Sequence, residues 1–302
     1  MNQANPFDIQ RKVVSHMTSE SWKNIPHVSY LYEPDITDFY REYKLFTTTQ
    51  KQDGKKLSWN TIILKMIAEG LKCAPELNSH IFYQHSKGEG VLRVFDEINI
   101  SLPWLLPDGR MITPVILNAG SMTLQELSNA VYELREKIDN TNIDELLYQA
   151  VKTDTLKELK KFNLGIFRRI FAAKISFHPT RGLKGKEKAA YYNIPIHRRL
   201  TDHNLTAGTV TVSNIGSLYR EQKGHFGILE IIPPQILAIG LGAIQEKPGV
   251  YVDGDGQKKI GIRKVLPMCI AFDHRAIDFN TLIPFLKKLD EIFAQPSVIH
   301  SW

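Results

Sequence analysis

Ala271-Phe-Asp-His-Arg-Ala-Ile-Asp278 sets a histidine at the mouth of an apolar strand, with a carboxylate four residues later. The run leading into it, Val265 to Phe272, is almost wholly apolar and reads as a buried strand. The run after it carries Leu282, Phe285, Leu286, Leu289 and Phe293 at helical spacing. His274 therefore falls at a strand-to-helix junction, where a rigid scaffold can hold an imidazole in a cleft as a general base. A lone histidine in apolar surroundings also fits a structural role, and Asp278, just before a helix, fits an N-cap.

A second stretch bears on that choice. Gly208-Thr-Val-Thr-Val-Ser-Asn-Ile-Gly216 alternates strictly, so Thr209, Thr211 and Ser213 share one face of a strand while Val210 and Val212 take the other. A hydroxyl at such a strand end can donate one hydrogen bond into a cleft.

The rest of the chain supplies the frame. Helical patterns are expected over 8–24, 60–72 and beyond Thr123, which with Glu126 forms a capping box. Strands are expected at 25–33, 80–84, 91–95, 98–105, 111–117, 208–214, 236–242 and 263–272. This mixture implies a two-layer α/β sandwich with a mixed sheet. Residues 139–205 stand apart as a mainly helical insertion in one catalytic-type domain spanning 1–302. It has helical patterns near 142–162 and 164–174, then a basic, turn-prone stretch from Pro179 to Lys188. Lys160 to Phe171 is both basic and apolar, which suits an anionic membrane surface or a partner as well as a solvated helix pair.

Composition narrows the classes. The chain of 302 residues is 43% hydrophobic and 23% charged, ordinary for a soluble globular protein. No apolar run approaches the roughly 20 residues of a membrane span, and the N-terminus does not read as a secretory signal. The net charge of +6 mildly favours anionic partners such as nucleotide phosphates and is too dispersed to argue for nucleic acid. Cys73 and Cys269 read as small core residues, which fits a reducing cytoplasm. Asp202-His203-Asn204 lacks metal-ligand spacing, so no metal is expected. Gly240-Leu-Gly242 is not a dinucleotide fingerprint, and Ser213 has no Gly-x-Ser-x-Gly elbow.

Taken together, Gly208 to Gly216, Pro233 to Gly242 and Asp273 to Asp278 resemble the catalytic domain of the dihydrolipoamide acyltransferases of 2-oxo acid dehydrogenase complexes. That domain is chloramphenicol acetyltransferase-like in fold. Arg11-Lys, Ile25-Pro-His27, Lys56 to Asn60, Pro75 to Asn78 and Asp108 to Pro114 fall in the same family order, so the likeness covers 8–138 and 205–296. The resemblance implies a coenzyme A-dependent acyltransferase. It would move an acyl group between coenzyme A and a lipoamide-like thiol or small-molecule acceptor. His274 would be the base, Ser213 the oxyanion donor, and Asp278 a carboxylate fixing local structure through Arg11 or Arg275. It makes His27 a structural residue. It implies a homotrimer whose base and hydroxyl come from different subunits, and it leaves the coenzyme A contacts undefined.

Three departures from the family pattern matter. The glycine closing the Asp-His-Arg-x-x-Asp-Gly motif is Phe279, whose ring could shift the His274 loop or narrow a channel. No lipoyl or subunit-binding domain is expected on the chain, so it would carry no covalent lipoate, and either a lipoyl domain on another chain would carry the acyl group or a small molecule or lipid would accept it. The ending Ser297 to Trp302 is short and mixed, which favours an isolated trimer over a large cage. These departures also admit a catalytically silent scaffold on the same fold.

Overall fold

Prolines and alternation together cut the chain into its elements. The computed structural model describes residues 7, 9–49, 57–149 and 182–302. In order these form α1 (Ile9–Asn24), β1 (His27–Tyr32), α2 (Thr37–Thr49), α3 (Trp59–Cys73), β2 (Ser79–Gln84), β3 (Glu89–Val94) and β4 (Ile100–Ser101). There follow β5 (Trp104–Leu105), β6 (Met111–Ile112), β7 (Val115–Ile116), α4 (Leu124–Asp139), α5 (Gly185–Asn193), β8 (Val210–Asn214) and β9 (Leu237–Leu241). The chain ends with β10 (Gln245–Val252), β11 (Lys258–Val265), β12 (Met268–Asp273) and α6 (Phe279–Ala294), with short helical turns between elements.

Six strands make one mixed sheet in the order β1-β12-β9-β8-β4-β7, parallel only at β9/β8 and β8/β4. One face presents Val210, Val212, Leu237, Ile239, Ile270 and Phe272 to a core shared with α2, α3, α4 and α6. The opposite face is thinner, with Ala238 and Ala271 under Ile25, Leu229 and Ile231. This is the expected two-layer α/β arrangement. Helix α4 begins with the capping box read from Thr123 and Glu126: each side chain takes the other's backbone N–H.

Several expected elements come out differently. The run Val265 to Phe272 is two strands, because Pro267 cannot donate to a ladder and marks a corner: Val265 ends β11, and Met268 starts β12. Pro103 and Pro114 likewise divide 98–105 and 111–117 into two-residue strands. Helix α2 and β10 carry no expectation from the sequence, and of β11 only residues 263–265 fall within an expected strand. The stretch expected to be turn-prone enters helix α5 at Gly185. Cys73 is exposed at the end of α3, whereas Cys269 is buried and its thiol is pushed up to about 11 by desolvation. The Lys160 to Phe171 segment and residues 151–174 lie outside the described residues. No described helix is long and apolar enough to cross a membrane.

Described residues on either side of 150–181 are tied together. Glu145 is 1% exposed and accepts from the Leu183 backbone N–H (2.6 Å), the Tyr192 hydroxyl (2.8 Å) and the Gln149 amide (2.8 Å). Gly182 permits this approach, since a Cβ there would lie 2.7 Å from the carboxylate. Nearby, Asn140 donates to the Arg198 carbonyl and Leu200 N–H donates to the Thr141 hydroxyl. Burial pushes the Glu145 carboxyl up, but its hydrogen bonds and the Lys188 charge outweigh this and hold it below its ordinary value. A carboxylate with a depressed folded value adds stability above its unfolded value, and that stability is lost as pH falls through the folded one. Glu145→Gln is therefore expected to cost about 1–3 kcal/mol at neutral pH. The gap should close as pH drops below the unfolded value of about 4.3. Denaturant unfolding of both proteins at two pH values checks this; a gap unchanged in acid would remove the carboxylate from the account.

Candidate active site

His274 emerges at the end of β12 into a turn organised by its neighbour. Asp273 is fully buried and pairs with His27 across β1. Its carboxylate accepts from the Arg275 backbone N–H at 2.9 Å and from the guanidinium at 2.6 Å through Nη2. Asp273 also receives Ala276 and Ile277 N–H groups on its carbonyl, closing the turn. Arg275 is then stacked on the Tyr83 ring at 5.0 Å, which fastens the loop to the β2–β3 ribbon. Arg275 thus serves Asp273, not Asp278 as one reading of the sequence had it. The motif by itself assigns Asp273 no part. A lone acid ending an apolar strand, two residues before an arginine, was the available signal.

The imidazole itself is half exposed, with its backbone N–H on the Pro26 carbonyl. Its Nδ1 faces two acceptors, the Ile277 carbonyl at 3.2 Å and the Asp278 carboxylate at 3.3 Å. Both demand a donor, so Nδ1 carries the proton and Nε2 keeps the lone pair. Asp278 sits at the N-cap position of α6, yet its side chain makes no capping bond and turns to His274 instead. Phe279 opens α6 with its ring 5.1 Å from that of Tyr30. Its φ is not positive, so the backbone does not need the glycine of the family pattern, and the ring leaves His274 open to solvent.

Ser213 lies in β8. Of the three hydroxyls on that strand face, two are engaged: Thr209 donates to Asn78 at 2.5 Å and Thr211 to Gln235 at 2.7 Å. The Ser213 hydroxyl has no partner among the described residues. The strand end is fixed by Asn214, which donates to Asn60 at the start of α3 and accepts from Ser217 N–H. Gly216 lets the following turn press on the end of β9, where a Cβ would meet the Gly242 carbonyl at 2.5 Å. His27, by contrast, is fully committed: one ring nitrogen meets the Ile25 carbonyl, the other accepts from Ile231 N–H, and the ring stacks on Trp22.

The turn after β12 brings His274 and Asp278 together, and the sheet holds Ser213 away. Ser213 pairs with Gly240, and Gly240 with Cys269, so Ser213 lies two strands across and five residues back along β12 from His274. At about 3.3 Å per residue and 4.8 Å per strand the separation is roughly 19 Å. Within one chain the imidazole and the hydroxyl occupy opposite ends of the sheet. Among the described residues no cluster of His, Cys, Asp and Glu forms a metal site.

Comparison with known proteins gives this geometry a family. The model of the 2-oxoacid dehydrogenases acyltransferase catalytic domain matches residues 2–148 and 195–301. The dihydrolipoyllysine-residue acetyltransferase component of the pyruvate dehydrogenase complex of Mycobacterium tuberculosis is 22% identical, over 89% of this chain and 37% of that protein. The Acholeplasma laidlawii component is 25% identical, over 96% of this chain and 40% of its own length. The chain thus spans less than half the length of these relatives. Among solved structures, a probable dihydrolipoamide acetyltransferase from Listeria monocytogenes has a TM-score of 0.65 at 20% identity, covering 98% of this chain and 95% of that one. Azotobacter vinelandii dihydrolipoamide acetyltransferase has a TM-score of 0.65 at 21% identity, covering 99% and 94%. Nearly the whole of each solved core shares this fold, and with most of its residues matched by the family model the chain belongs to the 2-oxoacid dehydrogenase acyltransferase catalytic-domain family.

Proposed function

We propose that this chain transfers an acyl group between coenzyme A and a lipoamide-like thiol, with His274 as general base. A thiol is mostly protonated near neutral pH, and the thiolate is the effective nucleophile. As sulfur attacks the thioester carbonyl, its proton passes to His274 Nε2. The carbonyl oxygen gains the charge and accepts a hydrogen bond from the Ser213 hydroxyl. Collapse of the tetrahedral species breaks the old carbon–sulfur bond, and the leaving thiolate takes the proton back from His274. Asp278 and the Ile277 carbonyl hold the Nδ1 proton, keeping the correct tautomer throughout.

The observation that carries this reading is a half-exposed imidazole with Nδ1 bound to two acceptors and Nε2 free to accept. The Azotobacter relative supports it, since a serine, a histidine and an asparagine four residues beyond that histidine figure in studies of its catalytic mechanism. Asp278 stands at the same distance from His274 and offers an oxygen where an amide would offer one. The silent-scaffold alternative rested partly on Phe279, whose ring leans on Tyr30 rather than over His274.

Because Ser213 and His274 of one chain are so far apart, the working site joins two copies, and a homotrimer built on such contacts is the assembly we propose. The acyl carrier we propose is a lipoyl domain. Two free cysteines fit a reducing cytoplasm. Mass spectrometry of acyl-coenzyme A donors mixed with dihydrolipoamide tests the reaction. Ser213→Ala is expected to lower kcat by about 10²–10³ with sedimentation unchanged. Wild-type turnover in that variant would end the oxyanion assignment.

A further inference from the structure

The stretch from Lys184 to Arg199 carries five lysines and arginines against one acid, Glu187, a surplus of four in a chain whose net charge is +6. It comprises α5 and the turn Ile196–Arg198. Helix α5 falls between the two stretches matched to the family, so this surface is an addition to the shared domain. Every residue from Lys184 to Ala190 is exposed, and so is every residue from Pro195 to Arg198. An element so widely exposed is a knob and not a groove. Lys184, Lys186 and Arg198 form no ion pair among the described residues. Apolar groups stand among these cations: Ile196 is 66% exposed and Tyr192 41%.

The knob is held firmly. Tyr191 is buried, and the Arg199 guanidinium stacks on its ring at 4.9 Å and on that of Tyr192 at 5.0 Å. Lys188 Nζ lies 5.8 Å over the Tyr192 ring. One end is tied to the domain through Glu145 and the Leu183 N–H, the other through Asn140 and Thr141. Cations and apolar side chains are thus presented together on a fixed support.

We infer that this knob docks on the surface of an anionic phospholipid bilayer. Each Lys or Arg near such a surface is drawn to the headgroup charge, and clusters of them attach a protein reversibly. The apolar side chains decide between anionic partners. A dissolved polyanion or an acidic protein segment is satisfied by the cations alone and leaves Ile196 in water. At a bilayer, Ile196 and the Tyr192 ring enter the headgroup boundary while the long basic side chains keep their charges on the phosphates. Shape agrees, because a protruding knob meets a broad surface more fully than it meets a slender ligand.

The inference is independent of the acyl-transfer reading, and its test involves no chemistry. The full chain is floated with phosphatidylcholine vesicles, with and without phosphatidylglycerol, over a range of salt. Wild type should float with the mixed vesicles and not with pure phosphatidylcholine, and should detach as salt rises. Lys184→Gln/Lys186→Gln/Lys188→Gln should weaken binding about a hundredfold. Ile196→Ser should weaken it about tenfold and leave the salt dependence in place. These side chains are exposed, so circular dichroism should find both variants folded, and the serine variant tests the docking even where the triple one misfolds. Lys87→Gln/Lys223→Gln/Lys258→Gln removes the same charge from exposed positions elsewhere and should float as wild type does. A wild type that never floats, or an equal loss in that last variant, would overturn the docking. So would equal binding to soluble polyglutamate that ignores Ile196→Ser, which would make the knob a surface for acidic protein segments.

Discussion

His274→Ala is expected to lower acyl-transfer turnover by about 10²–10⁴, the range a positioned base contributes. The size follows from how little else near Nε2 could take a thiol proton. Asp278 lies against Nδ1 on the far side of the ring, and Asp273 is buried under Arg275. A purely structural histidine would also lose activity on replacement, so the pH dependence decides. Without a base, the variant must wait for thiolate already present. Its residual rate should then rise about tenfold per pH unit below the thiol value of about 8.5. Wild type should rise less steeply. Unchanged turnover removes His274 from the chemistry, and a low rate with no added slope makes it a structural residue. The folded turn itself should survive, because Asp273, Arg275 and the Pro26 carbonyl hold it through groups the substitution does not touch.

What could be read from the sequence was local. Period-two alternation assigned Thr209, Thr211 and Ser213 to one face, and the structure keeps them there. The spacing of Thr123 and Glu126 fixed a helix start because a capping box is satisfied within four residues. What escaped involved partners distant along the chain or a pattern diluted by other needs. Gln245 to Val252 contains Pro248 and Gly249, which depress strand propensity, so the ribbon was hidden although its alternation is strict in three dimensions. Glu145 lies within the helical pattern expected near 142–162, and only the return of the chain at Leu183 makes it a buried tie. Asp273 and Arg275 were visible as letters, but a carboxylate becomes an organiser only once burial forces it to find a cation. The distance between Ser213 and His274 was beyond any local pattern. It depends on strand order, and alternation along one strand says nothing about which strand lies beside it.

That strand order leads to the sharpest expectation. Mixing inactive His274→Ala with inactive Ser213→Ala, after dissociation and reassembly, should restore activity. In the assembly proposed above, the hydroxyl of one copy faces the imidazole of the next. The His274→Ala chain still supplies Ser213, and the Ser213→Ala chain still supplies His274. At equal amounts, about one contact in four unites two intact groups, the random-mixing value for a symmetric assembly of copies. Turnover should therefore climb from background to about a quarter of wild type, far above either parent. A site contained in one chain cannot do this, because every copy in the mixture lacks one group. Recovery without reassembly, or none after it, would place the two groups in some other relation than the one their register in the sheet implies.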